Sequence, residues 1–440
     1  MKTYHGSLFL VFLASFAGTL ALRAENEYEN APISYSLSDP HDAAQALEKA
    51  QTQGKVKIDR SDDWAVVHGL LNQFHIPEAS QVMVFSKTSK QNDRISPATP
   101  RVVYFGDNAY IGYCLGGLIE VCVIDPRLGP IFYVADPRAN KSAPVRFVRD
   151  QSCLSCHGGP FSPDVPGVLV RSVCPSQDGH PIGSQGSKVV DTATPFEERW
   201  GGWYVTGKHG SVVHKGNVTA EEVGEKVTID PKPGQNVSDL GKFFDTAPYP
   251  RKTSDIVALM VLEHQTSTQN VLTKANQTAM RAMHMQKSLQ KELGEPVLDE
   301  PVNTARRMID HSARDVVDAL LFKDEAALPE GGIEGGGGFQ EAFENSGPRT
   351  AEGRSLKDMQ LLTRLFKHRC SYMIYSLTFT SLIPQLKQTV LADLWAALQG
   401  QDPAGRYSYL SPSERRNIAK ILVETLSGVP SEWHKAVAAR

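Results

Sequence analysis

Between residues 80 and 220 the apolar positions come in short β-branched and aromatic runs. Val82-Met83-Val84-Phe85 and Arg101-Val102-Val103-Tyr104-Phe105 are bounded by polar or Pro-containing segments and predict strands. Tyr110 to Cys114, then Gly116-Gly117, then Ile119 to Ile124 predict a hairpin. Asp125 to Pro130 is the next turn and Ile131 to Val134 the next strand. Gly167 to Val173 and Gly202 to Val205 continue the pattern. Past residue 250 the spacing becomes helical. Ser254 can cap a helix from Asp255 toward Gln286, unbroken by Pro or Gly and with an acid at its start. Val302 to Phe322 predicts a second helix, and Leu356 to Tyr375, Leu386 to Leu398 and Ser411 to Leu426 three more. The glycine run within residues 329–339 predicts a flexible connection. No repeat of solenoid period is present. The pattern predicts an α+β fold, a β-rich region over 25–250 followed by a helical region over 251–440 packed on it.

The first 24 residues stand apart. Lys2 supplies a basic start, Leu8 to Leu22 is almost wholly apolar, and Ala24 offers a small residue before Glu25-Asn26-Glu27. This predicts a cleaved export signal and a periplasmic or otherwise exported mature chain. Leu22-Arg23-Ala24 departs from a clean A-x-A, so an uncleaved anchor stays the alternative. No later apolar run reaches membrane-spanning length, so no membrane span is expected in the mature chain. A net charge of -3 argues against nucleic acid as a partner, because no basic excess is available to neutralise phosphates.

Cys153-Leu154-Ser155-Cys156-His157 carries the strongest chemical signal. C-x-x-C-H is the attachment spacing of a c-type haem: two thiols reach the vinyl groups and the adjacent His reaches the iron. With six Cys and 13 His in 440 residues, composition alone would produce the string about 0.002 times. A thioredoxin-like pair would want a helix-opening context, whereas Gly158-Gly159-Pro160 breaks any helix; a zinc site would want a second close pair, and none follows. One covalent haem c is therefore expected on Cys153 and Cys156, with His157 on the iron. Cys114, Cys122, Cys174 and Cys370 remain. In an oxidising compartment Cys114 and Cys122 could pair across the hairpin in one register only, and buried free thiols are the alternative.

For the opposite side of the iron, Met260 and His264 lie four residues apart on the long helix and so share a face. His264 is the favoured distal ligand, with Met260 and His214 as alternatives and an open site as a further one. His209 and His214 follow the aromatic segment Trp200 to Tyr204, and Met280, Met283 and Met285 crowd the far end of the helix. Glu197, Glu198 and Arg199 with the two His residues invite a peroxidase-like pocket, against the plainer reading of salt-bridged loop anchors.

Several strings together resemble a family of exported mono-haem c-type cytochrome proteins of environmental bacteria. They are Ser86-Lys87-Thr88-Ser89, Asp93 to Pro97, Phe147-Val148-Arg149 leading into the motif, Pro195 to Tyr204 and Leu262-Glu263-His264-Gln265, with Arg364 to Lys367 and Cys370 to Tyr375. The similarity spans nearly the whole chain beyond the signal and so implies one integrated unit. It implies haem binding and electron transfer, and no substrate. Three function classes follow, in order: an electron-transfer cytochrome that needs a redox partner protein, a haem enzyme of peroxidase type with an open distal site, and a haem-based sensor. No transmitter helix follows to carry a signal, which ranks the sensor third.

Overall fold

The strand pattern resolves into one seven-stranded antiparallel sheet and the later pattern into helices, an α+β fold. The computed structural model describes residues 26–402 and 404–438, so the export signal expected over residues 1–24 lies outside the described residues. Two helices precede the sheet, α1 (Ala43–Thr52) and α2 (Asp63–Gln73), capped by the carboxylates of Asp42 and Asp62. Then come β1 (Val82–Val84), β2 (Arg101–Phe105), β3 (Ala109–Tyr113), β4 (Ile119–Asp125), β5 (Gly129–Ala135) and β6 (Val148–Arg149). A helical turn, α3 (Leu154–His157), follows, then a two-stranded ribbon of β7 (Arg171–Val173) and β8 (Ser187–Val189). β9 (Trp203–Tyr204) returns to pair with β1, giving the order β6-β5-β4-β3-β2-β1-β9. β10 (Glu221–Val223) and β11 (Lys226–Thr228) form an exposed hairpin.

The period of two in each strand sorts the sheet into two buried faces. Met83, Val102, Tyr104, Ile111, Val121 and Ile131 point to one side and pack with Leu47, Val66, Leu70 and Leu71 of α1 and α2. Val82, Val103, Phe105, Tyr110, Cys122 and Phe132 point to the other, against the helical half. The hairpin pairs Tyr113 with Ile119 and Tyr110 with Cys122. That register leaves Cys114 and Cys122 unpaired, and all six cysteines are free thiols.

The helical half consists of α4 (Ile256–Glu292), α5 (Asn303–Leu320), α6 (Phe339–Glu344), α7 (Leu377–Thr380), α8 (Pro384–Leu398), α9 (Pro412–Thr425) and α10 (Ser431–Ala438). α4 is its spine, about 55 Å long at 1.5 Å per residue. Its interior is polar. Gln265 donates to Gly106 O and Tyr110 Oη at 2.9 and 2.8 Å and accepts from Tyr372 Oη, and Asn276 accepts from Ile383 N. Side-chain amides thus tie the helix to backbone that has no ladder partner of its own. Among the described residues no helix is long and apolar enough to cross a membrane.

Three local expectations need correction. The cap of α4 is Asp255, whose carboxylate accepts from Val257 N at 2.8 Å; Ser254 instead donates to Tyr204 O and accepts from Met83 N, tying the helix start to the sheet. The glycine-rich run is docked. Gly337 N donates to the same Asp255 carboxylate at 2.7 Å, and a Cβ on Gly335 would lie 2.6 Å from it, so the glycines permit close approach to a buried cap. Leu356 to Tyr375 is not a helix. Met359 and Phe366 bridge across a tight turn, Leu361 N donates to Arg364 O, and only Tyr372–Tyr375 forms a 3-10 turn. Ile333 N, from the glycine-rich run, takes Leu361 O, so long-range pairing overrides the helical spacing there.

Candidate functional site

The chain enters the C-x-x-C-H segment from β6, an edge strand that ends at Arg149, just before Asp150. The Asp150 carboxylate accepts from Ser152 N at 3.0 Å and opens a 3-10 turn over Gln151–Cys153, which runs into α3. Cys153, Cys156 and His157 therefore stand at i, i+3 and i+4 on consecutive helical turns, one above the other on a shared face. Both thiols are free and half-buried. Cys153 packs at the edge of the core between sheet and helices, and burial pushes its thiol up to about 11. Gly158 breaks the helix as expected. A Cβ there would lie 2.4 Å from Tyr28 Oη, which donates to Gly158 O at 3.1 Å. The N-terminal segment straps the motif from the other side too, where Gln151 donates to Ser36 O and Arg149 to Tyr35 O and Ser38 O.

His157 is the most constrained residue of the three. Its Nδ1 lies 2.8 Å from Gly167 O, and Gly167 N donates back to His157 O at 2.8 Å. A carbonyl can only accept, so Nδ1 carries the proton. Burial holds the ring below its ordinary pKa, opposed by the Gly167 bond, so the ring is neutral at pH 7 and its Nε2 bears a lone pair. Nε2 has no hydrogen-bond partner among the described residues. Phe132 of β5 lies beside the imidazole, with centroids 4.7 Å apart.

The carbonyl that fixes His157 is itself fixed. Asn270 of α4 accepts from Val168 N at 3.0 Å and donates to Val168 O at 2.7 Å, and a Cβ on Gly167 would lie 2.6 Å from its Oδ1. This explains why the strand expected over Gly167 to Val173 shortens to Arg171–Val173. The backbone of Gly167 and Val168 is already taken by an imidazole and an amide. The long helix does reach the motif, but through Asn270. Sequence reasoning passed over Asn270; its one signal was a poor helix former in the middle of a long helix.

None of the hydrogen bonds or ring contacts of His264 involves the motif. His264 is buried with its Nε2 2.7 Å from Ser371 Oγ and Thr268 Oγ1 near its Nδ1. Its ring stacks on Phe322 at 4.4 Å beside Phe366 and Tyr372, and burial lowers its pKa to about 3. Met260 is a buried core residue. His214 packs against His209, Trp200 and Phe196, and its Nδ1 accepts from Gly216 N. His209 exchanges hydrogen bonds with Asn236. Met283 is buried, whereas Met285 is exposed.

The polar string Glu197-Glu198-Arg199 divides. Glu198 pairs with Lys188 at the surface, and Arg199 turns inward to pair with Glu263 of α4, which is 0% exposed and also accepts from Trp200 Nε1. Burial drives the Glu263 carboxyl up to about 7, with Arg199 and Trp200 opposing. These groups anchor the loop to α4, and no contact of theirs reaches the motif. Near the motif lies a different ion pair, Arg101 with Glu120, on the sheet face that carries Phe132. Burial alone would raise Glu120, but Arg101, Ser89 and Gln91 outweigh it and hold the carboxyl low.

Compared with protein-family models, with curated proteins and with solved structures, the chain matches none.

Proposed function

We propose that this protein is an exported c-type cytochrome that carries one covalent haem and transfers electrons to or from a redox partner protein. The observation that carries the proposal is the tautomer of His157. The Gly167 carbonyl accepts from the Nδ1–H, which presents the Nε2 lone pair one and four residues from the free thiols of Cys156 and Cys153. The donor set fits a haem c: Cys153 and Cys156 would hold it through thioethers, and His157 would ligate the iron. When bound, such a group supplies a one-electron ferric–ferrous couple. The chain's own part is orientation. Asn270 holds Val168, Gly167 holds the imidazole, Asp150 caps the turn that spaces the thiols, and Tyr28 closes over Gly158.

A dithiol redox pair fits less well, because burial raises the Cys153 thiol where such chemistry wants it lowered. The peroxidase reading loses its acid–base set, since Arg199 is committed to Glu263. The contacts of His264 and His214 are made with residues outside the motif, so an accessible sixth position is the expected outcome. Acid-acetone extraction should leave the haem on the wild-type chain, and Cys153→Ala with Cys156→Ala should abolish holoprotein. Freely extractable haem, or none, would sink the proposal. Spectra of the ferrous protein with carbon monoxide then read the sixth position.

A further inference from the structure

We propose that the far end of α4 is a membrane-contacting surface, an apolar stripe that lies on lipid beside the N-terminal segment. Met285, Leu289 and Leu293 follow one another at i, i+4 and i+8 along one ridge, and Val297 and Leu298 stand in the loop that follows. These side chains are between 42% and 62% exposed, and they are five of the 12 large apolar ones left exposed among the described residues. Such a cluster marks an interaction surface, whereas apolar residues exposed singly do not. The loop is fastened to the helix. Gln286 donates to Leu298 O and Glu300 O, Gln290 accepts from Leu298 N, and Lys287 pairs with Asp299.

What covers the stripe follows from where the chain enters. Glu27 pairs with Arg281, which stands one turn before Met285 on the same ridge, and the next residue, Tyr28, is buried with its hydroxyl on Gly158 O. Leu22, the end of the apolar run Leu8 to Leu22, lies five residues before Glu27, a span of at most about 18 Å. The rise from Arg281 to Leu293 is also about 18 Å, so the run ends within reach of the stripe. Another protein surface would cover only one side of so uniformly apolar a run, whereas a bilayer receives both the run and the stripe. Once the run is cleaved off, the stripe keeps a weak, reversible hold on the same surface. Lys287 and Lys291 are outnumbered there by Glu292, Glu295, Asp299 and Glu300, so the hold is apolar and needs no anionic lipid.

The test is flotation of the protein, its N-terminus sequenced first, with vesicles of neutral phosphatidylcholine at pH 7. If the chain begins near Glu25, wild type should float with the vesicles. Leu289→Glu with Leu293→Glu should cut the bound fraction at least about fivefold, and Val223→Glu, at an exposed apolar residue of β10, should leave it unchanged. No flotation of wild type, or equal flotation of the double variant, overturns the proposal. If the chain keeps residues 1–24, that segment floats every variant and tryptophan fluorescence decides instead. Brominated phosphatidylcholine should quench the added fluorescence of Leu289→Trp and spare that of Val223→Trp, and equal quenching of the two overturns the proposal. A dimer that forms without vesicles and falls apart in the double variant makes the stripe a contact between two copies of the chain, which overturns it as well.

Discussion

His157 and His264 stand in two regions built on opposite principles. Around His157 the backbone is irregular, the neighbouring thiols are half-buried, and one ring nitrogen is tied to a carbonyl while the other is left without a partner. Around His264 everything is closed. Nε2 meets Ser371, Nδ1 faces Thr268, and Phe322, Phe366 and Tyr372 wall the ring. Both imidazoles are held neutral by burial. What separates them is the spare nitrogen. A ring with both nitrogens committed is a piece of core, and a ring oriented through one of them is prepared for a ligand.

The closed region is the place to expect large losses of stability. Arg199→Ala strands the fully buried Glu263 carboxylate, and a broken buried pair costs about 3–5 kcal/mol. Urea unfolding should show that loss, and a change below 1 kcal/mol would mean that α4 is not anchored there. His264→Ala should cost about 3 kcal/mol, since it opens a cavity among three aromatic rings and leaves the Ser371 hydroxyl unpaired. The holoprotein spectrum should not change. A shift to high spin in that variant would return His264 to the iron and erase the contrast.

Acidity separates the two regions more finely. The folded pKa of His264 is lowered from 6.5 to about 3, so the unfolded chain binds the extra proton between those values. Its contribution to stability is fully present above about pH 6.5 and is lost as the pH falls toward 3. In His264→Gln the slope of unfolding free energy against pH should therefore flatten by up to about 1.4 kcal/mol per pH unit across that window. An unchanged slope would show that the ring is not buried neutral.

The smallest expected effect lies at the open region. Asn270→Ala removes both hydrogen bonds to Val168 and should cost about 2 kcal/mol. Hydrogen exchange should quicken at Val168 and Gly167, with α4 elsewhere unaffected. Exchange that stays slow at Gly167 would mean that His157 is held without help from the helix.

The shared face of Cys153, Cys156 and His157 was legible because their spacing alone puts three side chains together on one helical turn. The sheet was legible for a similar reason. Alternation in β2 to β5 follows from two packed faces, whereas the hairpin register was open in the sequence: a turn centred on Gly116-Gly117 would set Cys114 opposite Ile119, and it is Tyr113 that pairs there. The buried polar positions of α4 were not. Glu263, His264 and Asn270 are one to seven residues apart in sequence, yet each takes a partner from a different distant segment: Arg199, Ser371 and Val168.

By itself, then, the sequence determined the C-x-x-C-H spacing and where strands give way to helices, because both depend on neighbours along the chain. Only the tertiary structure decided what the histidines, arginines and glycines around that motif do. The glycine run became a docked cap rather than a linker because Asp255 lies against it. Leu356 to Tyr375 lost its helix because Ile333 claimed the carbonyl of Leu361. His264 became core and His157 stayed open because a hydrogen-bond partner 107 residues away, Ser371, reached one ring's Nε2 and none among the described residues reached the other's.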